Sequence, residues 1–295
     1  MTGYEKLMNR IAAGERIMID GATGTEIERR GVPQLDNAWN GGGALSHPDI
    51  VRQVHEDYLR EGAEIIISNT FATSRHALRD AGVEDQFEAY NRCGVELAIE
   101  ARDNMQKPDA LVAGGISYWS WTGAHPALET LRASVEEQTA IMAAAGADLL
   151  MLEMMIEMDR MLVTLEAAQT SGLPVWAGLT CQPDETGTMC LSKGDRLTDA
   201  LAELTARGVP LVSIMHTEVE HIDACLDVLK DHWPGPIGVY AHTGGYADGK
   251  WIFDDTISPH DYAENARRWL DRGVQIIGGC CGIRVDHIAE LRKAV

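Results

Sequence analysis

Eight short apolar runs recur along the chain, at residues 17–22, 64–70, 111–117, 148–154, 175–181, 211–216, 237–242 and 275–280. Most are continuous rather than alternating, which is the pattern of strands buried on both faces. Between them lie polar-apolar segments at 48–61, 86–104, 131–145, 159–170, 196–207, 219–231 and 259–272. Several carry helical spacing, such as Ile50, Val54, Tyr58 and Leu59. Helix-stop residues follow them before the next run: Gly62, Gly146, Gly172, Gly208, Pro234 and Gly273. Eight such units in 295 residues predict an α/β chain folded as one (β/α)8 barrel spanning residues 1–295. A doubly wound open sheet is the other reading of the same alternation.

A barrel of this kind carries its chemistry at the carboxyl ends of the strands. Here those ends read Asp20, Asn69, Ser117, Glu153, Cys181, His216, His242, Cys280 and Cys281. The last two sit in Gly278-Gly279-Cys280-Cys281-Gly282, where glycine lets the backbone turn until both sulfurs face one point. Two thiolates in such a frame suit a borderline metal, above all Zn2+. Cys280, Cys281 and His216 can supply three ligands, with His242 as a fourth or as a lining residue. Cys181 is an alternative ligand. Two buried apolar cysteines, or a redox pair, remain the simpler reading of Cys-Cys alone.

Asp20-Gly21-Ala22-Thr23-Gly24-Thr25-Glu26 leads from the first run into a helix. Its glycines allow close backbone approach, and Asp20 can pair with an α-amino group. Glu153 ends a fully apolar run, where a carboxylate is costly unless paired or used. Trp39, Tyr118, Trp119, Trp121, Trp176, Tyr240 and Tyr246 fall near strand ends, and aromatic faces attract onium cations. His221, His232, His260 and His287 read as solvated. The net charge of -20 argues against nucleic acid and anionic membranes as partners. No run approaches the ~18 apolar residues of a membrane span. Six cysteines without an export signal read as reduced, in the cytoplasm.

The chain resembles the zinc-dependent homocysteine S-methyltransferases, the group that includes betaine–homocysteine methyltransferase and the homocysteine-binding domain of methionine synthase. The resemblance spans residues 11–294. It is carried by Asp20–Glu26, by Trp39, by His47-Pro48 ahead of Val51-Arg52-Gln53-Val54-His55, by Ser68-Asn69-Thr70-Phe71, by Glu153 and by the terminal Gly278–Gly282 motif. It implies a barrel with zinc at its mouth. Cys280 and Cys281 match two zinc thiolates, and Asp20 and Glu153 match acidic positions that hold the amino acid. Thr25, Trp39 and Asn69 join these two as expected substrate-binding residues. His216 stands where the family places a third thiolate, and His242 where many members carry Asn. Aromatic positions of the betaine branch are Ala72 and Met154 here, which argues against betaine as donor.

The expected activity is methyl transfer from a small onium donor to a zinc-bound thiolate, homocysteine first among acceptors, giving methionine. A metal-dependent hydrolase or lyase, and a non-catalytic thiol or amino-acid binder, stay open as alternatives. The expected partners are the thiol and the donor, without nucleic acid or membrane. A homo-oligomer or a donor-delivering protein is left open.

Overall fold

The computed structural model describes residues 1–247, 250–252 and 257–295. Eight parallel strands form one sheet: β1 (Ile17–Met18), β2 (Ile65–Ile67), β3 (Leu111–Ile116), β4 (Leu149–Met155), β5 (Val175–Leu179), β6 (Val212–Glu218), β7 (Ile237–His242) and β8 (Ile276–Ile277). They follow one another in chain order around the sheet, with β8 beside β1. A parallel bridge between Ile19 and Ile65 joins β1 to β2 and closes the ring. Closure rules out the open doubly wound sheet. Each apolar run contains a strand, but β1, β2 and β8 are shorter than their runs because the chain leaves the ladder to build the mouth.

Alternation along each strand divides the core into two layers. Ile17, Ile19, Ile65, Ile67, Leu111, Ala113, Leu149, Met151, Met215 and Tyr240 fill the barrel interior. Their neighbours Met18, Ile66, Val112, Leu150 and Leu152 face outward under the helices. Burial on both sides explains why the strands read as unbroken apolar runs.

The helices fall within a few residues of the expected segments: Pro48–Arg60, Phe87–Asn104, Leu128–Ala145, Met158–Gln169, Leu197–Ala206, Ile222–His232 and Pro259–Asp271. Pro48 and Pro259 each occupy a first helical turn, and Ser258 caps the second of these helices. Gly146 ends Leu128–Ala145 at φ +101°, where a side chain would be strained.

One further helix decides which end of the barrel is open. Gly3–Ala12, held by a Thr2–Glu5 capping box, sends Leu7 and Ile11 into the interior layer from below. Tyr4 Oη accepts a 3.0 Å hydrogen bond from Trp176 Nε1. The amino-terminal end is thus plugged, and the carboxyl end is left for chemistry. Trp176, expected near a strand end, lies in this plug region instead. Among the described residues no helix is long and apolar enough to cross a membrane.

Candidate metal centre and substrate cleft

A cleft of about 1030 Å³, counting its open mouth, lies at the carboxyl ends of the strands. Its walls include Asp20, Asn69, Glu153, Met154, His216, Cys280 and Cys281, drawn from five strand ends. The described lining contains no lysine or arginine.

The three metal-type side chains converge. The ligating atoms of His216, Cys280 and Cys281 all lie within 4.8 Å of one another. Cys280 Sγ is 3.4 Å from His216 Nδ1 and 3.9 Å from Cys281 Sγ. Tetrahedral zinc with Zn–S near 2.3 Å and Zn–N near 2.0–2.1 Å requires about 3.8 Å between sulfurs and about 3.6 Å from sulfur to nitrogen. The two spacings at Cys280 match a tetrahedral ion within a few tenths of an ångström. In the protein alone, the neighbouring Cys281 thiol and burial push the Cys280 thiol well above its ordinary value. Such a thiol is a poor nucleophile and a poor ligand until a cation compensates it.

Local backbone explains how the imidazole reaches this point. His216 has φ +46°, in the left-handed region, and the β6–β7 register shifts between Met215 and Glu218. The bulge turns the chain at His216 instead of continuing the in-out alternation. Met154 at the end of β4 repeats the device, with φ +59° and a register shift between Leu152 and Met155. Both irregularities sit at the cleft, where strained backbone concentrates.

Two carboxylates face the same space. Asp20 Oδ2 accepts the Ile67 N–H at 2.7 Å, fixing the side chain across the β1–β2 seam. Glu153 projects over β3, and a Cβ on Gly115 would lie 2.5 Å from its Oε2. Glycine at 115 is what makes room for the carboxylate. Burial pushes both groups well above the usual carboxylate range, and Cys280 and Asp20 add to the effect at Glu153. Two such acids in a lining without lysine or arginine favour a cationic ligand.

The remaining wall is aromatic and amide. Trp39 lies on Gly24, where a Cβ would come within 2.6 Å of the ring. Asn69 Nδ2 donates to Asn40 O at 3.1 Å, and Asn40 Nδ2 to Gly24 O at 2.8 Å. This ladder ties the loops after β1 and β2 together.

The sequence model of the homocysteine S-methyltransferase family matches residues 17–295. The chain belongs to that family. It is therefore a methyltransferase. Relatives include homocysteine S-methyltransferase 2 of Zea mays, 27% identical with 96% of this chain and 91% of that protein covered. A selenocysteine methyltransferase of Astragalus bisulcatus is also 27% identical, over 95% of this chain and 93% of its own. The metallated form of the homocysteine methyltransferase MmuM from Escherichia coli superposes with a TM-score of 0.83. It is 25% identical, with both chains fully covered. Metallation of that relative accords with the His216–Cys280–Cys281 cluster, which is fit to hold a metal ion.

Within this family member, the structure brings together Asp20, Trp39, Asn69, Glu153, His216, Cys280 and Cys281. Three other residues fall elsewhere. Thr25 lies one step deeper in the helix Thr23–Arg29, with its Oγ1 buried and unpartnered, while Thr23 and Gly24 reach the cleft. His242 stands beside His216, ring centroids 4.1 Å apart, but outside the three-atom cluster. Its Nε2 is 2.9 Å from Glu218 Oε1, and burial lowers the imidazole to about 3, with His216 adding to the shift. Cys181 opens a short hairpin, Cys181–Pro183 with Met189–Leu191, and meets Cys225 rather than the metal ligands.

Among the other named aromatics, Tyr118 is structural. Its Oη accepts the Ile156 and Glu157 N–H groups at 2.8 and 3.1 Å. The Tyr246 side chain lies outside the described residues. His287, read as solvated, is buried at the start of Val285–Leu291, with Nε2 3.1 Å from Ile257 O. Gly115, Phe71 and Glu218 were not singled out from sequence as site residues. The paired glycines Gly114-Gly115 inside an apolar run were the one available signal for the first.

Proposed function

We propose that this barrel transfers a methyl group from a small onium donor to the thiol of homocysteine, giving methionine, with zinc held by Cys280, Cys281 and His216. One observation carries the reading. A single cleft joins a three-ligand soft cluster to two buried carboxylates with no lysine or arginine in the described lining. An amino acid that carries a thiol satisfies both halves at once.

Asp20 and Glu153 receive the α-ammonium group, whose charge offsets the cost of keeping both carboxylates ionised. Trp39 and Asn69 bound the substrates, and Thr25 supports the helix start from behind. Zinc, when bound, keeps the acceptor as a thiolate at neutral pH. The new S–CH3 bond forms as the bond from the methyl carbon to the donor heteroatom breaks. That bond's electron pair leaves with the heteroatom, and the thiol proton goes to solvent. The chain's own contribution is alignment of the two reactants. His216 in place of a third thiolate leaves the ligand set one negative charge smaller. The donor enters as a free molecule through the open mouth, and the six cysteines suit a reducing cytoplasm. We take residues 1–295 as one barrel unit.

The test is incubation with homocysteine and a panel of sulfonium and quaternary ammonium donors, with methionine read by mass spectrometry. Cys280→Ala and Cys281→Ala should lose both metal and turnover. Full turnover in either variant would sink the assignment. Hydrolysis of a donor without any thiol present would favour the hydrolase alternative.

A further inference from the structure

Tyr240 brings a hydroxyl to the floor of the cleft that serves neither the metal cluster nor, in the free protein, either carboxylate. It stands on β7 opposite Met215 of β6 and belongs to the interior layer. Only 1% of it is exposed, yet it lines the cleft. Its ring reaches past β6 to β5. A Cβ on Gly178 of β5 would collide with Tyr240 Oη and would lie 2.8 Å from Leu152 O, the carbonyl just before Glu153. Glycine at 178 thus admits the hydroxyl, as glycine at 115 admits the Glu153 carboxylate. The two gaps lie on β5 and β3, on either side of β4, which carries Glu153. The hydroxyl and the carboxylate are thereby brought to the same part of the floor.

The hydroxyl has no hydrogen-bond partner among the described residues. A buried phenol in that state costs stability, and Phe at 240 would fill the space without the cost. Burial pushes the phenol well above its ordinary value, and Glu153, Cys280 and Asp20 add to the effect in that order. The group is thus a neutral hydroxyl set between the two carboxylates and the thiol cluster. It has one proton to give and lone pairs to receive.

A primary ammonium group has three N–H donors. Asp20 and Glu153 supply acceptors for two of them, and Asp20 Oδ2 is already engaged by the Ile67 N–H at 2.7 Å. We propose that Tyr240 Oη is the third acceptor for the ammonium group of the amino-acid substrate, with its own proton donated to the Glu153 carboxylate. Every group is then satisfied: the ammonium by Asp20, Glu153 and Tyr240, and the hydroxyl by one donor and one acceptor. Tyr240 is a specificity-determining residue that selects a primary amine over a methylated or missing one. The proposal rests on the reading of the cleft as the site of a thiol-bearing amino acid.

Isothermal titration calorimetry on the purified protein and on Tyr240→Phe tests it. The probes are L-homocysteine, N-methyl-L-homocysteine and the des-amino thiol 4-sulfanylbutanoic acid. Homocysteine should bind Tyr240→Phe roughly tenfold or more weakly than the unsubstituted protein, because a hydrogen bond to a charged group is lost. The des-amino thiol has no ammonium and should bind both proteins alike. The melting temperature of the variant should be unchanged or higher, whereas loss of a merely structural hydroxyl would lower it. In the unsubstituted protein, N-methylation removes one N–H donor and should weaken binding roughly tenfold. Equal homocysteine binding by the two proteins would overturn the proposal, and so would an equal loss for the des-amino thiol. If the variant does not fold, equal binding of homocysteine and its N-methyl derivative to the unsubstituted protein would overturn it. Homocysteine bound no more tightly than the des-amino thiol by the unsubstituted protein would overturn the amino-acid reading as well. Tight homocysteine binding that ignores Tyr240→Phe would overturn the proposal alone.

Discussion

His216 Nδ1 lies 3.4 Å from Cys280 Sγ, across the gap between β6 and the loop after β8. The imidazole thus occupies the side of the cluster where a third thiolate would complete an all-sulfur site. His216→Ala should lower zinc affinity at least tenfold, read by competition with a chromogenic chelator. His216→Cys should restore affinity and give a bound thiolate with more electron density. An affinity in His216→Ala equal to that of the unsubstituted protein would remove His216 from the ligand set.

Glu153 and Gly115 make a second pair of this kind. A methyl at 115 would meet Glu153 Oε2 at 2.5 Å and Ile67 Cγ2 at 3.0 Å. Gly115→Ala should therefore displace the carboxylate, raising KM for the amino-acid acceptor by roughly tenfold. It should also destabilise the fold by about 1–3 kcal/mol through overpacking. Acceptor titrations and thermal melts of the variant read the two effects separately.

Asp20 carries a cost in the free protein. Burial raises its folded pKa well above the ordinary value, so the folded state keeps a proton that the unfolded state releases. Its contribution therefore falls as pH rises above about 3.9. Asp20→Asn keeps an oxygen to accept the Ile67 N–H and has no charge to bury. It should raise the melting temperature by roughly 2–4 °C at pH 7. It should also weaken acceptor binding by about 10- to 100-fold, because a charge-assisted contact is lost. A variant that is both less stable and fully able to bind would contradict the assignment.

His55 gives the pH dependence the opposite sign. It is fully buried, both ring nitrogens lack partners, and burial lowers it to about 4. Between about 4 and the unfolded value near 6.5, the unfolded state binds a proton that the folded state does not. Stability should rise with pH across that window, by on the order of 3 kcal/mol for this group. Urea melts between pH 4 and 7 check this, and His55→Phe should flatten the slope.

The barrel was legible because eight strands buried on both faces must be written as apolar runs. The cluster was legible because its residues stand at the ends of two of those runs. What escaped the sequence was direction and distance. Trp176 reads as a strand residue near other site residues, but only the plug formed by Leu7 and Ile11 shows which end of the barrel it occupies. Thr25 shares a motif with Gly24, yet the helix turns its hydroxyl inward. His287 looks like a surface histidine until the chain near Ile257 folds over it. The hold of Asp80 on both Asn37 and Thr122 spans about forty residues in each direction, which no local pattern records.

X-ray absorption at the zinc edge, on protein purified anaerobically without a histidine tag, tests the central claim most directly. The account predicts one zinc per chain with two sulfur ligands and at least one imidazole nitrogen, and a third sulfur when homocysteine is added. No bound zinc, or three sulfurs before any thiol is added, would contradict it.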